Sequence, residues 1–249
     1  MRSLAIIVLV GCSQPTPAVV PVAKPEPKSE PAPGPGSGAV PVVAPVPATP
    51  AIIDAPIVWS PEREQLTLDY RRTHSDPDAH DLAIAPRVIV LHYTDGGSAK
   101  ATRAYFDNPR IEAARGQLAR AGAVNVSSHF LVDRDGTIYR LQPETRYARH
   151  CIGLNHIAIG IENVGDDAKF PLTEAQIKAD AALVRDLAHR YPITHLLGHY
   201  EVMKFRANPY FVERDPTYRN DKPDPGARFM SAVRAEVADL KLSGVEGPS

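Results

Sequence analysis

Two short stretches decide the fold of this chain: Arg87-Val-Ile-Val-Leu-His92 and Ile157-Ala-Ile-Gly-Ile161. Neither has a charged or polar residue at an interior position, so neither face of these stretches is suited to contact with water. A strand that is nonpolar on both faces is typical of a sheet that is covered on both sides. The two stretches therefore predict buried strands of a sheet that helices cover.

The remaining segments supply the rest of the sheet and its covering helices. The predicted strands are Ser127–Val132 and Thr137–Leu141, joined by the turn Asp133-Arg-Asp-Gly136, and Ile193–Leu197. The predicted helices are Ser98–Phe106, a helix that begins at the capping box Thr173-Glu-Ala-Gln176, and an amphipathic helix over 229–240. We therefore expect a single α/β (α+β) domain with a central mixed β-sheet flanked by helices.

Composition excludes several classes of protein. The 249 residues carry a formal net charge of -1, whereas nucleic-acid-binding proteins usually have a basic excess, so we expect no nucleic-acid partner. No nonpolar run reaches the roughly 18–20 residues that span a bilayer. Two cysteines are too few for a small fold held by disulfides.

The amino-terminal segment has the pattern of an export signal. Met1-Arg2 precedes a short nonpolar run, Leu4–Val10, and the segment ends in Leu9-Val-Gly-Cys12. This ending looks like a bacterial lipobox, which implies cleavage before Cys12 and lipidation of Cys12. The alternative is a buried amino-terminal strand. Ser13, directly after the cysteine, would permit sorting to an outer membrane.

A proline-rich segment follows the signal. Thirteen of the 25 prolines lie between Pro15 and Pro56, and such a sequence favours extended polyproline II and forms no packed core. We therefore predict a signal peptide over 1–12, a tether over 13–56, a folded domain over 57–242 and a flexible tail over 243–249. The expected location is the bacterial cell envelope, with the lipid on Cys12 in the outer membrane and the domain facing the periplasm.

Two histidines and one aspartate lie where a metal site can form. His92 ends the strand that begins at Arg87, and His199 follows the strand that ends at Leu197. Asp224 stands between two prolines in Lys222-Pro-Asp-Pro-Gly226, which restrict its backbone. Two histidines and one carboxylate with an open fourth position form a common catalytic zinc site, so these three residues are the candidate ligands.

The segment His195-Leu-Leu-Gly-His199 offers a competing pair of ligands. On a helix, histidines at positions i and i+4 face the same way and can share one zinc ion. This segment follows Pro192 and has the pattern of a strand, in which four residues span about 13 Å. We therefore retain His199 as a ligand and exclude His195.

Glu162 is the candidate for proton transfer. It follows the nonpolar stretch that ends at Ile161, and a carboxylate in such a place is costly unless it is paired or used. Partial desolvation raises the proton affinity of a carboxylate, which suits general acid–base catalysis. The alternative is a structural carboxylate paired with an arginine.

Five motifs occur in order between residues 87 and 232. They are His92-Tyr-Thr, Ser128-His-Phe-Leu-Val, Ile159-Gly-Ile-Glu162, Gly198-His199 and Lys222-Pro-Asp-Pro-Gly226. Together they resemble the zinc-dependent N-acetylmuramoyl-L-alanine amidases of the amidase-2 type, a family that includes the peptidoglycan recognition proteins. With the lipobox, the chain looks most similar to the outer-membrane lipoprotein amidases.

The resemblance implies a peptidoglycan-recognition-protein-like fold and an enzyme that cuts the amide bond between N-acetylmuramic acid and L-alanine. The substrate would be peptidoglycan or muropeptides, in cell-wall turnover or recycling. The resemblance also implies one Zn²⁺ per chain, held by His92, His199 and Asp224. It gives Glu162 the role of catalytic carboxylate and Lys222 that of stabilising the oxyanion. The candidates for contact with substrate are His150, Asn155 and Tyr93.

The chain departs from the family pattern in three places. Relatives often read Ala-Trp-His-Ala-Gly where this chain has Ala148-Arg-His-Cys-Ile-Gly153, so Arg149 replaces the tryptophan and one residue is extra. Segments 107–126 and 202–221 are longer than expected, and we predict that both border the cleft.

His150 is either structural or close to substrate. His129 is expected to be a core histidine and Cys151 a buried, inert thiol.

Two functions from different classes fit this pattern. The first is the zinc amidase, and the alternative is a lipoprotein that binds peptidoglycan or muropeptide without cutting it. Relatives that do not cut typically lose a zinc ligand, whereas all three candidate ligands and Glu162 are present here. The sequence therefore favours the enzyme, and we expect it to be a monomer.

Overall fold

The computed structural model describes residues 49–219 and 221–245, and six strands in these residues form one mixed sheet. The strands are β1 (Ile52–Asp54), β2 (Val88–Tyr93), β3 (Phe130–Val132), β4 (Ile138–Arg140), β5 (Ala158–Asn163) and β6 (His195–Gly198). They lie in the order β1-β4-β3-β5-β2-β6. The pair β3–β4 is antiparallel, and every other neighbouring pair is parallel.

Five α-helices are found in the described residues. They are α1 (Pro61–His74), α2 (Ala99–Asp107), α3 (Gln117–Arg120), α4 (Glu174–Arg190) and α5 (Ala227–Glu236). Single 3₁₀ turns cover Ala113–Arg115, His199–Glu201, Lys204–Ala207 and Ala238–Leu240. The capping box at Thr173 is present and begins α4, as predicted, and Ser98 caps α2.

The two stretches that predicted the fold are neighbouring parallel strands. β2 and β5 pair along their whole length. Ile89 and Leu91 pack on one face of the sheet with α4 and α5, whereas Val88 and Val90 pack on the opposite face with Tyr70 of α1. Both faces of β2 are therefore buried, which confirms the predicted sheet covered by helices.

The predicted hairpin and the helix after Ser98 are also confirmed. The carboxyl-terminal helix is shorter than predicted, because α5 ends at Glu236 and the chain continues in a 3₁₀ turn, Ala238–Leu240.

The predicted domain boundaries 57 and 242 are too narrow. Residues 52–54, assigned to the tether, form β1, which pairs with β4. The stretch between Pro50 and Pro56 contains no proline, so its N–H groups are available to pair with the edge of the hairpin. Ser243, assigned to the tail, donates to the Thr194 backbone oxygen and accepts from the Leu196 N–H, at 2.9 and 3.0 Å. The folded domain therefore includes residues 52–54 and 243.

The predictions for the signal peptide, for lipidation of Cys12 and for most of the tether lie outside the described residues. Among the residues that are described, no helix is both long and nonpolar enough to cross a bilayer.

Asp180 of α4 is a carboxyl group buried against the sheet. The Asn163 side-chain amide donates to Asp180 Oδ2 at 2.9 Å, whereas Asp180 Oδ1 and Asn163 Oδ1 have no hydrogen-bond partner among the described residues. Burial raises the pKa of Asp180 from 3.8 to about 7, and the hydrogen bond from Asn163 offsets only part of this rise. The folded chain therefore holds a proton on Asp180 more tightly than the unfolded chain does.

The Asp180→Asn variant is expected to be more stable than the wild type at pH 8 and about equally stable at pH 4. Because the pKa is raised in the folded state, the proton's contribution to stability is complete below about pH 4 and is lost as the pH rises to about 7. A shift of about three pKa units corresponds to at most about 4 kcal/mol. Unfolding in urea at both pH values measures the difference, with the exposed Asp69→Asn as control. An equal gain in the free energy of unfolding at the two pH values would contradict the raised pKa of Asp180.

Candidate active site

Parallel pairing brings the carboxyl ends of three strands to one edge of the sheet. His92 near the end of β2 is the register partner of Glu162 near the end of β5. On the other side of β2, Leu91 is the partner of Gly198, so His199 directly follows the end of β6. Side chains that are distant in sequence therefore meet at the edge where sites of α/β sheets usually form.

The candidate metal ligands His92, His199 and Asp224 form a compact triangle. His92 Nδ1 lies 2.9 Å from His199 Nδ1 and 3.2 Å from Asp224 Oδ2, and His199 Nδ1 lies 3.1 Å from the same carboxylate oxygen. All three side chains are buried. The Asp224 backbone oxygen accepts the Tyr200 N–H at 2.9 Å, which joins the loop that carries Asp224 to the turn that carries His199.

The triangle fits a zinc ion in donor type and in size. In a tetrahedral site with metal–ligand distances near 2.0–2.1 Å, neighbouring ligand atoms lie roughly 3.3 Å apart. The three observed separations are close to this value. Two imidazoles and one carboxylate also leave one position of a tetrahedron for water or substrate, which is the arrangement of catalytic zinc sites.

The protonation states of the triangle suit metal binding. Burial and, second to it, the nearby His199 together lower the pKa of His92 to about 4. Burial opposes ionisation of Asp224, but the contacts with His199 and His92 hold the pKa of its carboxyl group well below its usual value. His92 is therefore neutral and Asp224 ionised at neutral pH, which are the forms that coordinate a metal.

His150 orients the His92 ring from the side that faces away from the triangle. His150 Nε2 lies 3.3 Å from the Ala158 backbone oxygen, which can only accept, so this nitrogen carries the hydrogen. His150 Nδ1 is then an acceptor for His92 Nε2–H, at 3.0 Å, and the lone pair of His92 Nδ1 is left facing the triangle. Gly160 makes room for this arrangement, because a Cβ there would lie 2.7 Å from the His150 ring. His150 therefore orients His92, and it also lines the cavity that contains the triangle, so its predicted place near substrate stays a prediction.

His129 supports the same layer. Its Nδ1 accepts the Gly160 N–H at 3.0 Å, and its Nε2 donates to the Arg146 backbone oxygen at 2.8 Å. Both ring nitrogens are therefore satisfied inside the core, as predicted for His129. His195 packs against the rings of Phe205 and Tyr210 and is not part of the triangle, which agrees with its exclusion.

Glu162 carries an unpaired carboxylate oxygen beside the triangle. Its Oε2 is buried and has no hydrogen-bond partner among the described residues. Burial raises the pKa of Glu162 well above its usual value, and the negative charge of Asp224 raises it further. No arginine forms an ion pair with this carboxylate in the described residues, so the alternative of a structural ion pair is not supported.

A cavity of about 690 Å³ connects these groups. Lys222 lines it, and the positive charge of Lys222 acts against the rise in the pKa of Glu162. Tyr93, predicted to contact substrate, also lines the cavity, and its hydroxyl group lies 3.4 Å from Asp167. Burial, together with the charge of Asp167, raises the pKa of Tyr93 to about 12.

Asn155, also predicted to contact substrate, does not line the cavity, and its contact with substrate stays a prediction. Its side-chain oxygen accepts the N–H groups of His150 and Cys151 at 2.9 and 2.8 Å, and the residue is buried. Asn155 therefore holds the loop that carries His150. A local hydrogen bond across four or five residues gives no signal in a single sequence.

The two inserted segments border the cavity, as predicted. Residues 107–126 contribute Arg115, Gln117, Leu118 and Val126, and residues 202–221 contribute Tyr218. The sequence predicted the two segments but none of these five side chains. Cys151 also lies at the cavity, and burial raises the pKa of its thiol well above the usual value, which is the state expected of an inert thiol.

Residues 82–227 match a protein-family model described as N-acetylmuramoyl-L-alanine amidase. The endolysin of Escherichia phage T7 is 35% identical over 86 residues, which cover 32% of this chain and 57% of the endolysin. The chain thus spans little more than half the length of this curated relative.

Among solved structures, the endolysin amidase LysCS from Clostridium intestinale is 24% identical with a TM-score of 0.49, and the match covers 77% of this chain and 97% of that one. The amidase LysC from Clostridium intestinale is 26% identical with a TM-score of 0.48, and that match covers 76% and 98% of the two chains.

Proposed function

Because the chain belongs to the N-acetylmuramoyl-L-alanine amidase family, we propose that it hydrolyses the amide bond between N-acetylmuramic acid and L-alanine in peptidoglycan or muropeptides. One observation carries this proposal. His92, His199, Asp224 and Glu162 all line a single cavity, although they come from four separate parts of the chain. The site therefore combines a set of metal ligands with a carboxylate of raised proton affinity.

The metal we propose is one Zn²⁺ per chain, held by His92 Nδ1, His199 Nδ1 and an oxygen of Asp224. When bound, zinc polarises a carbonyl group and lowers the pKa of water to about 7. The contact between His92 and His150 keeps the correct ring nitrogen of His92 turned to the site.

Glu162 and Lys222 handle the proton and the charge of the reaction. Glu162 takes a proton from the attacking water and passes it to the leaving amine of L-alanine, a role for which its raised pKa is suited. Lys222 binds the carbonyl oxygen as it becomes negative. Removal of one such donor typically costs about 10²–10³ in rate.

Mass spectrometry of defined muropeptides after incubation with residues 49–249 tests the function. We expect separation of muramic acid from the stem peptide, loss of this activity on chelation, and recovery on addition of Zn²⁺. Full activity of a sample shown by elemental analysis to be free of metal would overturn the metalloenzyme proposal. Binding of muropeptide without cleavage by the metal-loaded protein would favour the binding lipoprotein instead.

We also propose that the protein is anchored in the outer membrane through lipid on Cys12, with its domain in the periplasm. The support is the Leu9-Val-Gly-Cys12 ending and the proline-rich segment after it. About 40 residues at up to about 3.1 Å each would reach on the order of 100 Å, enough to present the site to the cell wall in turnover or recycling.

The Cys12→Ser variant is expected to leave the membrane fraction, because the site of lipidation is removed, while the activity of the domain stays unchanged. Fractionation of cells that express the full chain measures this, with the wild type as control. A variant that still sediments with membranes after a high-salt wash would contradict the lipid anchor.

A further inference from the structure

Arg149, the arginine that stands where relatives often carry tryptophan, is a buried cation that bonds to one inserted segment. Its guanidinium group donates to the backbone oxygens of Leu118 at 2.6 Å, Gly122 at 3.0 Å and Val124 at 2.5 Å. All three acceptors belong to segment 107–126. Among the described residues, no carboxylate lies within salt-bridge distance of Arg149, so the arginine serves the backbone of this segment rather than a charged partner.

His74, the last residue of α1, joins the two inserted segments. Its Nε2 lies 2.6 Å from the Ala121 backbone oxygen of segment 107–126, and its Nδ1 lies 2.8 Å from Glu213 Oε1 of segment 202–221. His74 therefore contacts both segments at once, and the side chains of His74 and Glu213 are both buried.

Tyr70 connects Arg149 with His74. The Arg149 guanidinium lies 4.4 Å from the centre of the Tyr70 ring, and the His74 ring lies 4.1 Å from it. Segment 107–126 approaches Tyr70 so closely that a Cβ at Gly122 would lie 2.8 Å from its ring. We call Tyr70, His74, Arg149 and Glu213 the clasp, since they form one continuous set of contacts between α1 and both segments.

The held segments are a wall of the proposed active site. Arg115, Gln117 and Leu118 of the first segment and Tyr218 of the second line the same cavity as Glu162 and Lys222. Leu118 is itself a backbone acceptor of Arg149, and Arg149 and Tyr70 also line the cavity, so the clasp is continuous with the wall.

We propose that Arg149 is a positioning residue for substrate binding, and that the clasp holds both inserted segments as one wall against which the muropeptide binds. This inference rests on the proposed function and adds a specificity-determining support to it. Arg149 is expected to act on KM rather than on kcat, because its contacts reach the wall and not the reacting groups.

Steady-state kinetics of Arg149→Met on a defined muropeptide tests the inference. We expect KM to rise about tenfold, kcat to stay within about twofold and metal content to be unchanged. Arg149→Lys keeps the charge but cannot donate to the three backbone oxygens in the same geometry. Its KM should lie between those of the wild type and Arg149→Met. The control is Arg103→Met, because Arg103 also donates to two backbone oxygens, of Ala55 and Pro56, but does not line the cavity.

A double-mutant cycle on KM tests whether the wall is one unit. Arg149 contacts the first segment and Glu213 belongs to the second, so Arg149→Met and Glu213→Gln should be non-additive if the clasp joins them. Strict additivity would overturn the proposal, as would a fall in kcat with KM unchanged. If Arg149→Met does not fold, His74→Gln replaces it in the cycle.

Limited trypsin digestion separates this inference from the proposed function, because it needs no substrate. Segment 107–126 offers the exposed Arg115 and Arg120, and segment 202–221 offers the exposed Arg206. Faster cleavage of both segments in Arg149→Met supports the clasp even if no muropeptide is cut. Cleavage at the wild-type rate in both segments would sink it.

Discussion

Replacing His92, His199 or Asp224 with alanine is expected to remove bound zinc and to lower turnover by roughly 10³-fold or more. Each variant leaves only two protein ligands at a site that is built from three buried donor atoms within 4.8 Å of one another. Loss of the metal forfeits several kcal/mol of charge stabilisation, and each 1.4 kcal/mol is about tenfold in rate. Elemental analysis of the purified variants measures the first effect and muropeptide cleavage the second.

A matched histidine controls for nonspecific effects. His189 is exposed in the last turn of α4 and does not line the cavity, so His189→Ala should keep one equivalent of zinc and full activity. A His92→Ala protein that still binds one equivalent of zinc would show that this histidine is not a ligand. Circular dichroism of each variant establishes that the fold is retained.

Glu162→Gln is expected to keep its zinc and to lose about 10²–10⁴ in kcat. Glutamine has nearly the same size and leaves the triangle intact, but it cannot take a proton from water. General acid–base catalysis typically contributes a factor of this size. The pairing of retained metal with lost turnover distinguishes Glu162 from the ligands.

Two outcomes would contradict the role of Glu162. Loss of zinc in Glu162→Gln, with the fold intact, would mean that the carboxylate is itself a ligand. Unchanged kcat would mean that its unpaired Oε2 is a structural feature rather than a proton acceptor.

Lys222→Met provides the comparison, because it should keep both the metal and the base while losing about 10²–10³ in rate.

Much of the site follows from short-range patterns. The nonpolar interiors of 87–92 and 157–161 predicted two buried strands, and a ligand or a carboxylate at the end of each was visible in the printed order of residues. Exclusion of His195 also depended only on local pattern, because a strand separates positions i and i+4 too widely for one metal ion. The family resemblance added roles for these residues, and the structure brings His92, His199, Asp224, Glu162 and Lys222 to one cavity.

The boundaries were less predictable because edge pairing has little local signal. Ile52–Asp54 is only three residues long and follows a proline-rich segment, so composition assigned it to the tether. Its inclusion in the domain depends on the free edge of β4, which lies more than 80 residues away in sequence. Ser243 joins the domain in the same way, through backbone groups of Thr194 and Leu196.

The sequence by itself determined five of the six strands, the capped starts of α2 and α4 and the residue types of the site, because burial periodicity and capping act between residues a few positions apart. Only the tertiary structure decided that His150 orients His92, that Asn155 is structural, and that Arg149 and His74 hold two insertions together. The contacts of His150, Arg149 and His74 join residues 25 to 139 positions apart. Those of Asn155, Arg149 and His74 also depend on backbone groups, which every residue has and no sequence pattern distinguishes.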